Sequence, residues 1–387
     1  MTYARARLLL GMFGVGLIVV LSAFLLLARY PLEILPDSES WSSDDLTALA
    51  LVFGCLAAVL FPLDLLGGYL LPNRWRPNTI SLKMFAAGWL RGVLVQGTLF
   101  VAASLLILLM GRWLGTTGAV VAIAGFAILL VGVQLPIAKF VGALRNRAAD
   151  DGDIDAKLER AQSIVSTWGW KPRPITALQH RDTGFTGGIV GLPGMETVVL
   201  PAETIRKLSP DQLAIVIARR LEAIQSGSRT RGLLLALVWV VVGFALSTLL
   251  PAAGVTSVAG LTMTCLGFTL WTFFGLLTLP TLSRQASYAI DGKVLQSGAS
   301  PEVLQQTVKA FDVLQDDEPR RSALIETIFH PVPSVHNRRS PTPGGAPIAW
   351  HAARITLFVS WACMGMLVRA VHCNVGRPEL WVMLPTD

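Results

Sequence analysis

The stretch LSPDQLAIVIARRLEAIQ, residues 208–225, is the most clearly marked helix in the sequence, and the interpretation of the chain starts from it. Ser209 is a good N-cap, Pro210 occupies the first helical position, and Gln212 completes a capping box. The apolar residues recur at helical spacing and form one stripe, which consists of Leu213, Ile217, Leu221 and Ile224. Because a long apolar segment follows soon after, we predict a helix that lies next to a membrane span.

The composition is that of an integral membrane protein. Of the 387 residues, 53% are hydrophobic and only 15% are charged, whereas soluble domains carry about 25% charged residues. A helix needs about 20 mainly apolar residues to cross the hydrocarbon core. About seven segments meet this requirement: 8–28, 47–70, 88–110, 118–141, 232–250, 256–280 and 354–372. The first is long and has no small-residue cleavage site, so we predict an anchor rather than a removable signal peptide.

The basic residues are placed as the membrane topology requires. Arg5 and Arg7 precede the first span, the loop 31–45 after it is acidic, and Arg145 and Arg147 follow the fourth span. Lysine and arginine near span ends mark the cytoplasmic side. We therefore predict an inner-membrane protein of a bacterium with a cytoplasmic N-terminus, cytoplasmic polar regions and an external C-terminus. The net charge of +7 reflects this topology, and no basic–aromatic platform indicates nucleic-acid binding.

The hydropathy divides the chain into five parts. Residues 1–141 hold four spans, 142–230 are polar, 231–281 form a two-span hairpin, 282–353 are polar and end in a proline-rich connector, and 354–387 hold the last span and an external tail. The first polar part begins with an amphipathic helix that ends near Trp168–Gly169. Its β-branched runs at 175–178 and 197–200, with GLPGME at 191–196, predict short strands and one hairpin.

Several motifs in this order resemble the membrane zinc metallopeptidases of the HtpX and CAAX-prenyl-protease kind. They are GFTGG at 184–188 with the following hairpin, LSPDQL at 208–213, the membrane hairpin, SRQASYAID at 283–291 and HPVPSVHNR at 330–338. The resemblance covers about residues 155–340. It implies a mainly α, polytopic membrane protein whose cytoplasmic α+β region is zincin-like and contains a small β-hairpin or sheet. The additional N-terminal spans depart from the four-span HtpX plan.

The residues that bind zinc in that family are missing here. The resemblance implies H-E-x-x-H on the helix after Ser209, where the histidines hold Zn²⁺ and the glutamate activates water, and a further glutamate ligand on the helix after the hairpin. Arg219 and Ala223 stand at the histidine positions, Arg220 stands at the base position and Ser287 stands at the third-ligand position, whereas Asp291 is retained. Arginine has no lone pair to give a metal. We therefore predict a degenerate relative with no metal and no cofactor.

Two interpretations of Arg219 and Arg220 follow from the residues around them. They pair with Glu222, Glu203 or Asp291 or extend toward the membrane face, or they bind an anion such as a lipid phosphate, a peptide carboxylate or an acidic partner.

The glycine-rich stretch Phe185, Thr186, Gly187 and Gly188 is a further candidate for partner binding. In the resembled family this strand is an exposed edge that pairs with an extended substrate, which predicts capture of a partner by β-augmentation.

Three other sets of residues are candidates for an architectural motif, a catalytic site or an ion pair. The resemblance gives His330 and Pro331 an architectural role, together with Arg338 of the same motif, while His330 and His336 are the candidates for a rewired catalytic site. Asp64 and Arg91 are charges inside predicted spans, and we expect them to form an intramembrane pair.

The predicted function is therefore that of a catalytically inactive, metallopeptidase-like membrane protein. It would contact membrane lipids and serve as a scaffold or partner-binding subunit of another membrane complex. The alternatives are a membrane protease with a rewired site and a protein that binds anionic lipid or a solute.

Overall fold

A computed structural model describes residues 2–75, 80–147, 152–180, 184–315, 317–338, 348–371 and 373–382. The chain is mainly helical (73%) with one small mixed sheet. It divides into two compact units. The first comprises Met1–Val131, Leu237–Gly275 and Thr356–Val382, and the second comprises Gly132–Ala236, Leu276–Ile355 and Met383–Asp387. Most of the predicted proline-rich connector (339–347) and the end of the predicted external tail (383–387) lie outside the described residues.

Helices occur in every part of the chain, and the four strands all lie in its middle part. The N-terminal part holds α1 (Tyr3–Ala28), α2 (Pro31–Ile34), α3 (Ser43–Leu65), a π-helix (Leu66–Leu70), α4 (Leu71–Trp75), α5 (Leu82–Gly132) and α6 (Gln134–Val141). The middle part holds β1 (Leu144–Asn146), α7 (Gly152–Thr167), β2 (Ile175–His180), β3 (Gly188–Val190), β4 (Thr197–Pro201), α8 (Ala202–Lys207) and α9 (Pro210–Gln225). The C-terminal part holds α10 (Ser228–Ser247), α11 (Val258–Gln296), α12 (Pro301–Gln315), α13 (Ala323–Phe329), α14 (Ala352–Val359) and three 3₁₀ turns (Ser360–Cys363, Leu367–Arg369, Pro378–Val382).

Five helices of the described ranges are long and apolar enough to cross a membrane: Tyr3–Ala28, Ser43–Trp75, Leu82–Gly132, Ser228–Ser247 and Val258–Gln296. The protein is therefore an integral membrane protein, as its composition predicts. The predicted third span (88–110) and most of the predicted fourth (118–141) lie on one helix, α5, which has 51 residues and a kink at Gly115. The end of the predicted fourth span lies on α6. The backbone there has φ 64° and ψ −159°, a conformation that glycine adopts readily and other residues avoid.

The segment 354–372, the seventh predicted span, does not form one long helix in the described residues. These form the eight-residue helix α14 and two 3₁₀ turns with short connections, and every residue from 356 to 371 is buried inside the protein. Hydropathy cannot distinguish an apolar run that faces lipid from one that fills a protein core. The number of membrane crossings and the external C-terminus stay predictions.

The buried carboxylate of Asp64 holds this C-terminal segment in the first unit. It accepts hydrogen bonds from Arg369 Nη2 at 2.5 Å, Trp89 Nε1 at 2.9 Å and the backbone N–H of Gly376 at 2.9 Å. We expected Arg91 to be the partner, but its side chain is exposed and the buried ion pair of Asp64 is with Arg369. The true partner lies 305 residues away in sequence, so spacing gave no sign of it.

Glycines allow the same segment to pack backbone against backbone. A Cβ at Gly68, in the π-helix after α3, would lie 2.0 Å from the carbonyl oxygen of Gly376. A Cβ at Gly92 on α5 would lie 2.9 Å from the backbone nitrogen of Glu379. Irregular backbone at membrane depth is stable only where it is buried in protein and its polar groups are satisfied. Gln96 contributes to this, because its Nε2 donates to the carbonyl of Pro378 at 2.8 Å.

The sheet lies in the second unit and has the strand order β1-β2-β4-β3. β3 and β4 pair antiparallel across the turn 191–196, which confirms the predicted hairpin. β2 and β4 pair parallel, and β1 adds an antiparallel edge that the sequence did not indicate. The first helix of this part, α7, ends at Thr167 as predicted.

Helix α9 is the centre of the second unit, and its predicted cap is confirmed. The backbone N–H of Gln212 donates to Ser209 Oγ at 3.2 Å, and Gln212 Oε1 accepts from the Ser209 N–H at 3.0 Å. The helix is buried on nearly all sides rather than along one stripe, because α7 and α12 pack against it. Helix α11 continues without a break from the membrane hairpin to Gln296.

Replacing Asp64 by alanine leaves the Arg369 guanidinium buried without its carboxylate. We expect a loss of about 3–5 kcal/mol of stability, measured by thermal unfolding of the purified protein in detergent. Arg91→Ala is the matched control and should lower the unfolding temperature much less, because that side chain is exposed and interactions of exposed charges contribute little. Equal losses for the two variants would contradict the assignment of Arg369 as the partner.

Candidate functional site

The three zinc-ligand positions and the base position that the resemblance implies lie on α9 and α11 in the second unit, and all four are buried. Arg219 is 2% exposed and Arg220 is 1% exposed, while Ala223 and Ser287 are fully buried. Arg219 and Ala223 are four residues apart and so share one face of α9. Ser287 Oγ donates to the carbonyl of Ser283 one turn earlier in α11, at 3.3 Å. The helices therefore present these positions to the protein interior.

Asp291 on α11 is fully buried and is held by two arginines from elsewhere in the chain. Arg219 Nε donates to Asp291 Oδ1 at 2.7 Å. Arg338 donates through Nε to Oδ2 at 2.8 Å and through Nη2 to Oδ1 at 3.0 Å. This two-point contact is the strong, geometrically specific form of an arginine–carboxylate pair. We call Arg219, Asp291 and Arg338 the Asp291 cluster; it joins α9, α11 and the segment after α13.

Arg220 points in a different direction from Arg219 and binds backbone carbonyl groups. Its Nη1 donates to the carbonyl of Val216 at 2.9 Å, and its Nη2 donates to the carbonyl of Thr186 at 2.9 Å. The guanidinium therefore ties α9 to the glycine-rich stretch before β3.

The contacts of the two arginines favour the first of their two predicted interpretations, pairing within the protein. Of the three carboxylates considered, Asp291 pairs with Arg219. Glu222 accepts from Trp170 Nε1 at 3.1 Å, and Glu203 pairs with Arg206 and Lys207. Side chains that are this deeply buried do not reach a lipid phosphate or the membrane face.

The edge strand β3 and the stretch before it are covered, contrary to the exposed edge that the resemblance implied. Phe185, Thr186, Gly187 and Gly188 are all buried. Gln315 Nε2 on α12 donates to Thr186 Oγ1 at 3.1 Å. The backbone of Gly187 has φ 103°, and a Cβ there would lie 2.4 Å from the carbonyl oxygen of Val199. The stretch is therefore packed from several directions and does not present a free strand edge.

The two histidines of the proposed rewired site have different environments. His330 is buried and His336 is exposed. Pro331 is buried beside His330, in the segment that leads to Arg338. Among the residues that the structure describes, no three His, Cys, Asp or Glu side chains come together in an arrangement that could hold a metal ion.

Sequence reasoning missed Glu326, which positions the segment that carries Arg338. Its buried carboxylate accepts from the Ser334 N–H at 2.9 Å and from Asn337 Nδ2 at 2.9 Å. The Glu326 carbonyl also accepts from Arg284 Nη1 at 2.5 Å. The available signal was a single carboxylate inside the apolar helix ALIETIF, because a carboxylate on a buried face requires partners.

No protein-family model matches the sequence, and no curated protein matches it. Among solved structures, the chain is similar to the crystal structure of S. mikatae Ste24p, with a TM-score of 0.63 and 13% sequence identity. The match covers 78% of this chain and 75% of that chain. Ste24p is a CAAX prenyl protease of the membrane zinc metallopeptidase family whose motifs the sequence resembles. At this identity the likeness establishes the fold, that of a polytopic membrane protein.

The Asp291 cluster predicts an asymmetry between its members. Asp291→Ala leaves two guanidinium groups buried together, and we expect a loss of about 3–5 kcal/mol. Arg219→Met should cost less, because Asp291 keeps its two-point contact with Arg338. Thermal or denaturant unfolding measures both.

Asp155→Ala is the matched control for this comparison. It removes a carboxylate whose ion pair with Arg147 is at the surface, and surface pairs contribute little. An Asp291→Ala protein as stable as Asp155→Ala would contradict the role assigned to the cluster.

Proposed function

We propose that this protein is a catalytically inactive, metallopeptidase-like membrane protein that acts as a scaffold or partner-binding subunit of a membrane complex. The observation that supports the proposal is the Asp291 cluster. Arg219, at the position of a zinc ligand in the resembled family, forms a buried ion pair with Asp291, which also pairs with Arg338. The Ste24p-like fold supports the comparison of positions on which this rests.

The residues at the family's zinc positions do not fit a zinc ion. Catalytic zinc sites use three protein ligands drawn from His, Cys, Asp and Glu, with water at the fourth position. Arg219 and Arg220 are permanently protonated donors and Ala223 has no ligand atom. Ser287 alone offers an oxygen, and its hydroxyl donates to the backbone of α11. These four residues therefore supply neither the ligands nor the base of a metal-dependent hydrolytic step.

The Asp291 cluster can take over the structural part of a metal's role. A zinc ion ligated by α9 and α11 would cross-link the two helices, and the cluster links the same two helices through the carboxylate of Asp291. It also adds the segment after α13 through Arg338. Selection for architecture alone would retain such a cross-link after catalysis was lost.

A partner would have to bind at surfaces other than β3, because the β3 edge is covered. The spanning helices offer such surfaces in the first unit. Their exposed side chains include large apolar residues such as Leu27, Trp113 and Leu249, and faces of this kind contact lipid or a neighbouring membrane helix. We infer that the scaffold function, like the lipid contact, uses these apolar faces.

The two alternative functions have less support. A rewired protease would need His330 and His336 to act together, but one is buried and the other is exposed. Binding of an anionic lipid or solute at Arg219 and Arg220 would need access to two guanidinium groups that the protein interior encloses.

Metal content tests the inactive assignment directly. We expect the wild-type protein, purified without chelator, to hold clearly less than one zinc per chain by elemental analysis. We also expect it to show no chelator-sensitive peptidase activity. One tightly bound zinc per chain would overturn the proposal.

A restored motif tests whether the positions are compared correctly. The variant R219H/R220E/A223H/S287E should bind zinc, and its unfolding temperature should rise as zinc is added, because a ligand that binds only the native state stabilises it. The variant R219Q/R220Q/S287Q removes the same arginines without adding ligands, and zinc should not change its unfolding temperature.

The assembly state of the wild-type protein tests the scaffold role. A protein that is a monodisperse monomer after extraction from native membranes into nanodiscs would count against that role.

A further inference from the structure

The turn between β3 and β4, residues 191–196, lies beside the ends of two membrane-spanning helices. A Cβ at Gly132, the last residue of α5, would lie 3.6 Å from Leu192 Cδ1. At the start of α10, Arg229 Nη2 donates to the carbonyl of Gly191 at 2.5 Å. The turn is therefore in contact with the last turn of one span and the first turn of another, all within the second unit.

These helix ends place the turn at the boundary of the membrane. Helices α5 and α10 are both long and apolar enough to cross the bilayer, and the ends of such helices lie near the limits of the hydrocarbon core. Basic residues cluster there as well: Arg229 and Arg231 stand in the first turn of α10. The turn 191–196 contacts both helix ends, so it lies at the same depth relative to the membrane as they do.

The tip of the turn exposes apolar groups rather than the polar side chains usual in a solvent-facing turn. Met195 is 77% exposed, the neighbouring Pro193 and Gly194 are also exposed, and Leu192 is partly covered. Two further exposed apolar residues belong to the start of α10 or contact it: Leu234 on α10, and Ile348, whose carbonyl accepts from Arg231 Nε at 2.8 Å. Phe140 on α6 is exposed as well, eight residues after the end of α5.

From this placement we infer that the turn 191–196 is an interfacial anchor, which inserts Met195 and Pro193 into the boundary between lipid headgroups and acyl chains. The partner is the lipid surface itself. Arg173 suits the headgroup side of that boundary, because its half-exposed side chain lies 3.8 Å from Glu196 and donates to the carbonyl of Gly194 at 3.4 Å. Arginine places its apolar stem along lipid and its charge among phosphates.

The turn is rigid enough to serve this purpose. The antiparallel β3–β4 ladder leads directly into it. Gly191 has φ 96°, and a Cβ there would lie 2.5 Å from the carbonyl oxygen of Met195. The buried Glu196 pairs with Arg229 at 3.9 Å. A turn that is fixed at its base presents its tip without losing further conformational entropy on insertion, and it would hold the sheet at a set distance from the lipid.

Spin-label accessibility tests the inference in the full-length protein. The label is attached at Met195→Cys in a background where Cys55→Ala and Cys373→Ala remove the accessible native thiols. The protein is placed in nanodiscs of phosphatidylcholine and phosphatidylglycerol. Power saturation then compares collisions with oxygen, which concentrates in lipid, and with a water-soluble nickel chelate. We expect the label at 195 to favour oxygen.

Glu302→Cys is the water-facing control, because Glu302 is exposed at the start of α12. A label there should favour the nickel chelate. A label at position 195 that favours the nickel chelate, as at position 302, would overturn the inference. A turn that binds a protein partner instead of lipid would give this result, because the nanodiscs hold no such partner. Met195→Asp gives a second readout: it should shift a label at Phe140→Cys toward the nickel chelate, and no shift would count against insertion.

Discussion

Asp291 is the constraint around which the second unit is built. A single carboxylate in the protein interior cannot remain charged without partners, and here two guanidinium groups surround it. Each guanidinium comes from a different part of the chain, so the charge can be satisfied only when α9, α11 and the segment after α13 are all in place. Glu326 then orders that last segment through Ser334 and Asn337. A buried ion pair of this kind contributes less to net stability than to the uniqueness of the arrangement.

This arrangement also describes what occupies the positions that are compared with a metal site. A metal site needs lone pairs directed at an open position, whereas arginine fills space and donates protons. Arg219 turns inward to Asp291, and Arg220 turns to the carbonyl of Thr186, next to the strand β3. The same two side chains thus fill the space between α9 and α11 and help to cover the edge of β3.

The first unit also contains a buried carboxylate that joins distant parts of the chain. Asp64 is a buried carboxylate that binds a distant arginine and a backbone N–H, and close glycine contacts bring the C-terminal segment to it. That segment is as apolar as a spanning helix, yet it is folded into short turns and buried. Membrane proteins can place irregular backbone within the hydrocarbon core when it is buried in protein and the surrounding helices satisfy its polar groups. In both units, one carboxylate organises chain segments that are far apart in sequence.

The sequence alone determined the class of protein, the capped helix at 210–225, the hairpin around 191–196 and the absence of an H-E-x-x-H motif, because these depend on local composition, capping chemistry and residue identity. The tertiary structure decided which partner each buried charge takes: Arg369 rather than Arg91 for Asp64, and Arg338 together with Arg219 for Asp291. It also decided that residues 356–371 are core and that the β3 edge is covered. Pairing and burial are long-range properties, and the hydropathy of a segment is the same whether lipid or protein surrounds it.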